Sequence, residues 1–77
     1  SAVGYDNSAV GLNSSAIGAV NVTDGGNASA IGYDNAAAEG AVAVGSGNAA
    51  GVDSAVVGIG NNDTGERNDI FGSTNVV

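Results

Sequence analysis

Ser15-Ala16-Ile17-Gly18 returns as Ser29-Ala30-Ile31-Gly32. The same succession of small residue, apolar residue and glycine appears in Ser1-Ala2-Val3-Gly4, Val42-Ala43-Val44-Gly45, Ala55-Val56-Val57-Gly58 and Asp69-Ile70-Phe71-Gly72. The apolar residues just before the glycines are Val3, Ile17, Ile31, Val44, Val57 and Phe71, at spacings of 14, 14, 13, 13 and 14 residues. A near-constant period this short, repeated along the whole chain, marks an architecture of stacked like units. A second glycine falls midway in each unit, at Gly11, Gly25, Gly40, Gly51 and Gly65. Each unit therefore divides into two halves, each with a short strand and a turn. The turns are built of residues that accept left-handed backbone angles and bond their own backbone, as in Tyr5-Asp6-Asn7, Asp24-Gly25-Gly26-Asn27, Tyr33-Asp34-Asn35 and Asn61-Asn62-Asp63-Thr64-Gly65.

Helix is excluded by the density of glycine and by the lack of helical spacing among the apolar residues. The period predicts an all-β fold, a parallel β-solenoid with coils of 13–14 residues. Each coil lies about 4.8 Å from the next through parallel ladder bonds. Residues 1–72 make about five coils and one further strand, and residues 73–77 are a C-terminal tail or the start of a neck or of a next repeat. Val3, Ile17, Ile31, Val44, Val57 and Phe71 are expected to stack as one inward core ladder, with the alanines and Val10, Val20, Val22 and Val52 filling the remaining interior or a subunit contact. Strands such as Val42-Ala43-Val44 and Ala55-Val56-Val57 carry apolar groups on both faces. The second face is therefore expected to meet copies of the same chain, about an axis along the stack.

Composition narrows the function. The 77 residues include no cysteine and no histidine, so thiolate metal sites, disulfides and the commonest general base are missing. The formal net charge is −7, with Arg67 the one basic side chain. Phosphate backbones and anionic bilayers both call for clustered Lys and Arg, so neither nucleic acid nor an anionic membrane is an expected partner. No apolar run approaches the ~20 residues that span a bilayer, and direct membrane insertion by this segment is not expected. No nucleophile and base stand together, and the carboxylates are scattered over the turns, so the expectation is a protein that is not an enzyme.

Several short motifs imitate sites. Ala41-Val42-Ala43-Val44-Gly45-Ser46-Gly47-Asn48-Ala49-Ala50-Gly51 resembles a strand followed by a phosphate loop, but its glycines fall on the repeat and no helix is expected after it to supply a dipole. Asn61-Asn62-Asp63-Thr64-Gly65-Glu66 is the densest set of oxygen ligands for calcium, although it matches neither an EF-hand nor the nonapeptide calcium repeat. The expectation is no cofactor, with solvated turns the simpler account of these residues. Asn13, Asn21, Asn27 and Asn62 each open an N-glycosylation pattern, which arises easily in a chain this rich in Asn, Ser and Thr. Tyr5 and Tyr33 occupy the same place in two repeats, each followed by Asp-Asn, and are the candidate binding surface; a ring lying over neighbouring alanines is the plainer alternative. Phe71 suits the end of the core ladder, and Arg67 suits an ion pair with Glu66, Asp69 or another chain.

Asn7-Ser8-Ala9-Val10-Gly11, Ser14-Ser15-Ala16-Ile17-Gly18 and Asn27-Ala28-Ser29-Ala30-Ile31-Gly32 resemble the recurring N-S-x-A-I-G strand of YadA-like heads, the haemagglutinin-type repeats of trimeric autotransporter adhesins. The resemblance covers the chain from Ser1 to about Gly72. It implies a left-handed parallel β-roll assembled as a homotrimer. It also implies an extracellular place on a Gram-negative cell surface, on a fibre anchored in the outer membrane, and adhesion to a host matrix protein, cell or surface ligand. Glu66-Arg67-Asn68 and Thr74-Asn75-Val76 are similar to the family's neck stretch, with Ile70-Phe71-Gly72-Ser73 intervening. The fourth and fifth copies are richer in valine than the family pattern, and lysine is missing altogether. The alternative function is a structural repeat segment of an extracellular filament or phage tail fibre, which uses repeats to gain length. A flat solenoid that binds ice or a regular polymer is a third possibility, but that usually needs a ladder of threonines on one face, and Thr23, Thr64 and Thr74 are out of register for it.

Overall fold

The computed structural model describes residues 1–77 and contains no helix. Small and β-branched residues before each repeat glycine form the long strands β1 (Ala2–Tyr5), β3 (Ser15–Ala19), β5 (Ser29–Tyr33), β7 (Val42–Ser46), β9 (Ala55–Ile59) and β10 (Asp69–Ser73). The second half of each coil supplies the two-residue strands β2 (Ser8–Ala9), β4 (Val22–Thr23), β6 (Ala36–Ala37) and β8 (Ala49–Ala50). The long strands make a six-stranded sheet in the order β1-β3-β5-β7-β9-β10, the short ones a four-stranded sheet β2-β4-β6-β8, and every pairing is parallel. The chain is thus a β-solenoid of about five turns, 27 Å in its longest dimension and 12 Å in its shortest. Residues 73–77 follow the same path into a sixth coil: Asn62 bridges Val76, and the Val77 N–H donates to the Asn62 carbonyl at 2.9 Å.

The register sets equivalent positions of successive repeats side by side. Val3 pairs with Ile17, Ile17 with Ile31, Ile31 with Val44, Val44 with Val57 and Val57 with Phe71. The ladder exists, but its direction corrects the sequence expectation. It faces outward: Phe71 is 87% exposed and Ile17 41%. The residues beside it, Ala16, Ala30, Ala43, Val56 and Ile70, are the ones that point in. Strand side chains alternate between faces, so burying one column exposes the next. Which column wins is decided by space. The coil closes on itself within a thickness of 12 Å, and two facing isoleucines do not fit where two facing methyl groups do. Nor do Val10, Val20, Val22 and Val52 fill the interior; none of them is buried.

All 17 buried residues fall into four columns that run the length of the stack. One is the alanine column just named. Facing it on the short sheet are Thr23, Ala37, Ala50 and Asp63. At the second turn lie Ser14, Ala28, Ala41 and Ser54, and at the first turn Asn21, Asn35, Asn48 and Asn61. The difference between 13- and 14-residue coils sits wholly in the second turn: four residues separate Thr23 from Ala28, but three separate Ala37 from Ala41 and Ala50 from Ser54. Gly40 accordingly does not stand over Gly25. Its φ of 68° places it with Asn27 at 58° and Asp53 at 56°, the left-handed corner of that turn.

Candidate binding surface

The surface is held in place by an asparagine ladder inside it. In every coil the side chain four residues after the ladder residue turns inward, as Asn7, Asn21, Asn35, Asn48, Asn61 and Asn75. Asn35 shows the pattern. Its Nδ2 donates to the Ile31 carbonyl in its own coil and to the Gly45 carbonyl in the next, both at 2.9 Å. Its Oδ1 accepts the backbone N–H and the Nδ2 of Asn48 at 3.1 Å each. Asn21, Asn48 and Asn61 repeat the exchange. The amides of Asn7, Asn21, Asn35 and Asn48 each close the first turn and tie it to the next coil, and that of Asn61 makes the tie, satisfying backbone groups that a tight turn leaves without partners. Composition alone treats these residues as ordinary turn asparagines. The signal that identifies them is Gly-x-x-Asn in all six copies, from Gly4…Asn7 to Gly72…Asn75.

Outside this frame the six-stranded sheet presents Val3, Ile17, Ile31, Val44, Val57 and Phe71 as a continuous apolar row, flanked by Val42 and Ala55 on one side and by Tyr5, Ala19, Tyr33 and Ile59 on the other. At ~3.3 Å per residue along a strand and ~4.8 Å between strands, the whole face, its serines and Asp69 included, covers about 400 Å², comparable in size to the largest surface patch of a typical monomer. Seven of the eight acidic residues lie elsewhere; Asp69, at the start of β10, is the one carboxylate on it. Tyr5 and Tyr33 share one column of this face, each in register with Ala19 between them, and both are exposed.

The stretch singled out for calcium disperses its oxygens. Asn61 and Asp63 point into the coil and Asn62 points out, and no three carboxylates gather to hold a cation. Asp63 is buried in the column otherwise occupied by Thr23, Ala37 and Ala50. Its Oδ1 accepts from the Gly65 N–H and from Asn68 Nδ2 at 2.9 Å each, while Oδ2 is buried without a partner. Burial is the largest single influence on this carboxyl and raises its pKa. The combined pull of Ser54, Asn68 and the Gly65 and Gly51 backbone outweighs it, and the pKa falls below the ordinary 3.8. Ser54 and Gly51 favour the ionised form from nearby without giving Oδ2 a full hydrogen bond.

The other motifs resolve similarly. Of the glycosylation patterns, Asn21 is fully buried in the ladder, whereas Asn13, Asn27 and Asn62 are exposed. The glycine-rich stretch from Ala41 to Gly51 is β7, a turn and β8, with no helix end after it. Arg67 is exposed at the left-handed corner of the second turn, with φ 58°. No family model, no curated protein and no solved structure matches the chain.

Proposed function

We propose that the chain is a non-enzymatic segment of a cell-surface adhesin head, in which copies of the solenoid associate through the Val3–Phe71 row of the six-stranded sheet and the Val42 and Ala55 side of it, leave the Tyr5 and Tyr33 column at the rim, and display their turns to a host matrix protein or cell-surface ligand. The observation that carries this is the outward-facing apolar row from Val3 to Phe71, with Val3, Ile17, Ile31 and Phe71 exposed and Val44 and Val57 half-buried. Its rungs recur at every level, so a second copy related by an axis along the stack meets like residues throughout. Charge supports the same choice of face. With net charge −7 and a single arginine, copies repel one another wherever carboxylates meet, and this face carries only one. The resemblance to YadA-like repeats favours three copies, a left-handed coil and an extracellular place on a bacterial surface.

Sedimentation equilibrium tests the assembly. The expected mass is three times the 7.2 kDa of one chain, falling to a monomer in the double variant Ile17→Glu, Ile31→Glu. Adsorption to immobilised matrix proteins and to cells tests the adhesion. A wild-type chain that stays monomeric at high concentration and binds none of them sinks the proposal.

A further inference from the structure

The column next to the apolar row has a period of its own, twice that of the coil. Read by register it runs Tyr5, Ala19, Tyr33, Ser46, Ile59, Ser73, with large and small residues alternating. The three large members are among the most exposed apolar side chains of the molecule: Tyr5 75%, Tyr33 58% and Ile59 64%. They stand two rungs apart, about 9.6 Å at the spacing of a parallel ladder, with Ala19 and Ser46 leaving low ground between them. Asp6 and Asp34 follow the two tyrosines directly, at φ of 55° and 58°, and both are exposed. The solenoid thus carries a track of platforms running along its stack, with an exposed aspartate next in the chain after each aromatic platform.

We propose that this track binds a neutral, extended β-linked glycan of the cellulose or chitin type, lying parallel to the solenoid axis. Two residues of such a chain span about the separation of neighbouring platforms, and every second sugar turns the same face to the same side. Tyr5 and Tyr33 then stack on alternate sugars, and Ile59 supports a third through its apolar surface. Sugar C–H faces pack on aromatic rings, and carboxylates accept from pairs of sugar hydroxyls, so Asp6 and Asp34 complete the two aromatic subsites. Anionic glycans are repelled by the same carboxylates and by the net charge of −7. A second copy of the chain is a poorer occupant of this column than of the Val3–Phe71 row beside it. It would set Asp6 and Asp34 against carboxylates of its own, with one arginine per chain, at the other turn, to offset them. This ligand class deepens the adhesin proposal and rests on it for its biological sense, but the binding is measurable without it.

The test is isothermal titration of the 77-residue chain with cellohexaose and with chitohexaose, using maltohexaose and hyaluronan oligomers as controls, and with association state followed in the same samples. Saturable binding to either β-linked hexamer supports the proposal, and which of the two binds tells plain hydroxyl from acetamido recognition. Tyr5→Ala and Tyr33→Ala should each weaken it roughly tenfold. A spacing control, Ala19→Tyr combined with Tyr33→Ala, keeps two aromatics but sets them one rung apart; it should also lose affinity while circular dichroism shows the fold retained. No binding to either hexamer, equal binding to maltohexaose, or full affinity in the spacing control overturns the proposal. So does a tyrosine variant that changes the mass of the assembly and leaves glycan binding intact, since the track would then be a contact between copies. A glycan-binding monomer would remove the association proposal and leave this one standing.

Discussion

Asn35 and Asn48 are joined twice, the Oδ1 of the first accepting both the backbone N–H and the Nδ2 of the second at 3.1 Å. This pair of hydrogen bonds between successive coils, repeated up the stack, does for the first turn what the sheets do for the strands. Asn35→Ala would leave the Asn48 N–H without its acceptor and the Ile31 and Gly45 carbonyls without their donors, all inside the coil. A loss of about 3 kcal/mol or more in urea unfolding is expected. Asn75→Ala, in the exposed sixth coil, should cost under about 1 kcal/mol.

A pair of alanine substitutions checks how closely the coils approach. At Gly32, φ is 125° and a Cβ would lie 2.0 Å from the Gly45 carbonyl oxygen of the next coil, so Gly32→Ala should prevent normal stacking and lower the melting temperature steeply. At Gly60, φ is 65° and nothing lies within 4 Å of the added carbon. Gly60→Ala carries only the backbone strain of a left-handed alanine, about 1 kcal/mol.

The in-and-out register has an equally direct check. Ala30 is wholly buried and Ile31 lies on the outer face. Ala30→Ile should destabilise the isolated coil by about 2 kcal/mol or more through overpacking. Ile31→Ala should cost the monomer far less than the ~2–5 kcal/mol of a buried Ile→Ala change, its main effect being weaker self-association. Chemical denaturation at low protein concentration separates the two effects.

Asp63 gives the fold a defined acid response. Its pKa is lowered in the folded chain, so its contribution to stability is complete above the unfolded value near 3.8 and is lost as pH falls through the folded value below it. Unfolding free energy measured from pH 6 down to pH 2 should therefore drop at the acid end, and the Asp63→Asn variant should lose that part of the drop. The double variant Asp63→Ala, Asn68→Ala recreates the interior of the third coil, Ala37 with Ala41. Because both side chains leave together, it should cost less than Asp63→Ala alone, which strands the Asn68 amide in addition to the Gly65 N–H.

Strand positions, parallel stacking and the 13–14-residue period can all be read from the sequence, because identical glycine-bounded segments have one economical way to repeat. The facing of those strands cannot. In Ala16-Ile17 both side chains are apolar, and hydrophobicity alone favours burying the isoleucine; only the width of the closed coil, a property of both turns together, reverses it. Asn21 and Asn35 escaped for a related reason. Asparagine is at home in any solvated turn, and its inward rotation depends on carbonyls of the next coil, which sequence does not place beside it. Gly40 misled because its turn is one residue shorter, and it stands at the corner held by Asn27 and Asp53 instead of with the mid-repeat glycines. Tyr5 and Tyr33 were visible as repeats of each other, but Ile59 joined their column only once register was known.

The ladder bonds point along the stacking axis, with Ser1 in the first coil and Val77 in the last. A tensile load applied between those two ends therefore bears on one coil boundary at a time, as in a zip, and not on all the rungs in parallel, as in sheared strands. The molecule would give way coil by coil at modest force, paying out length gradually, and each released coil would find the asparagine and strand edge it needs to close again when the pull relaxes.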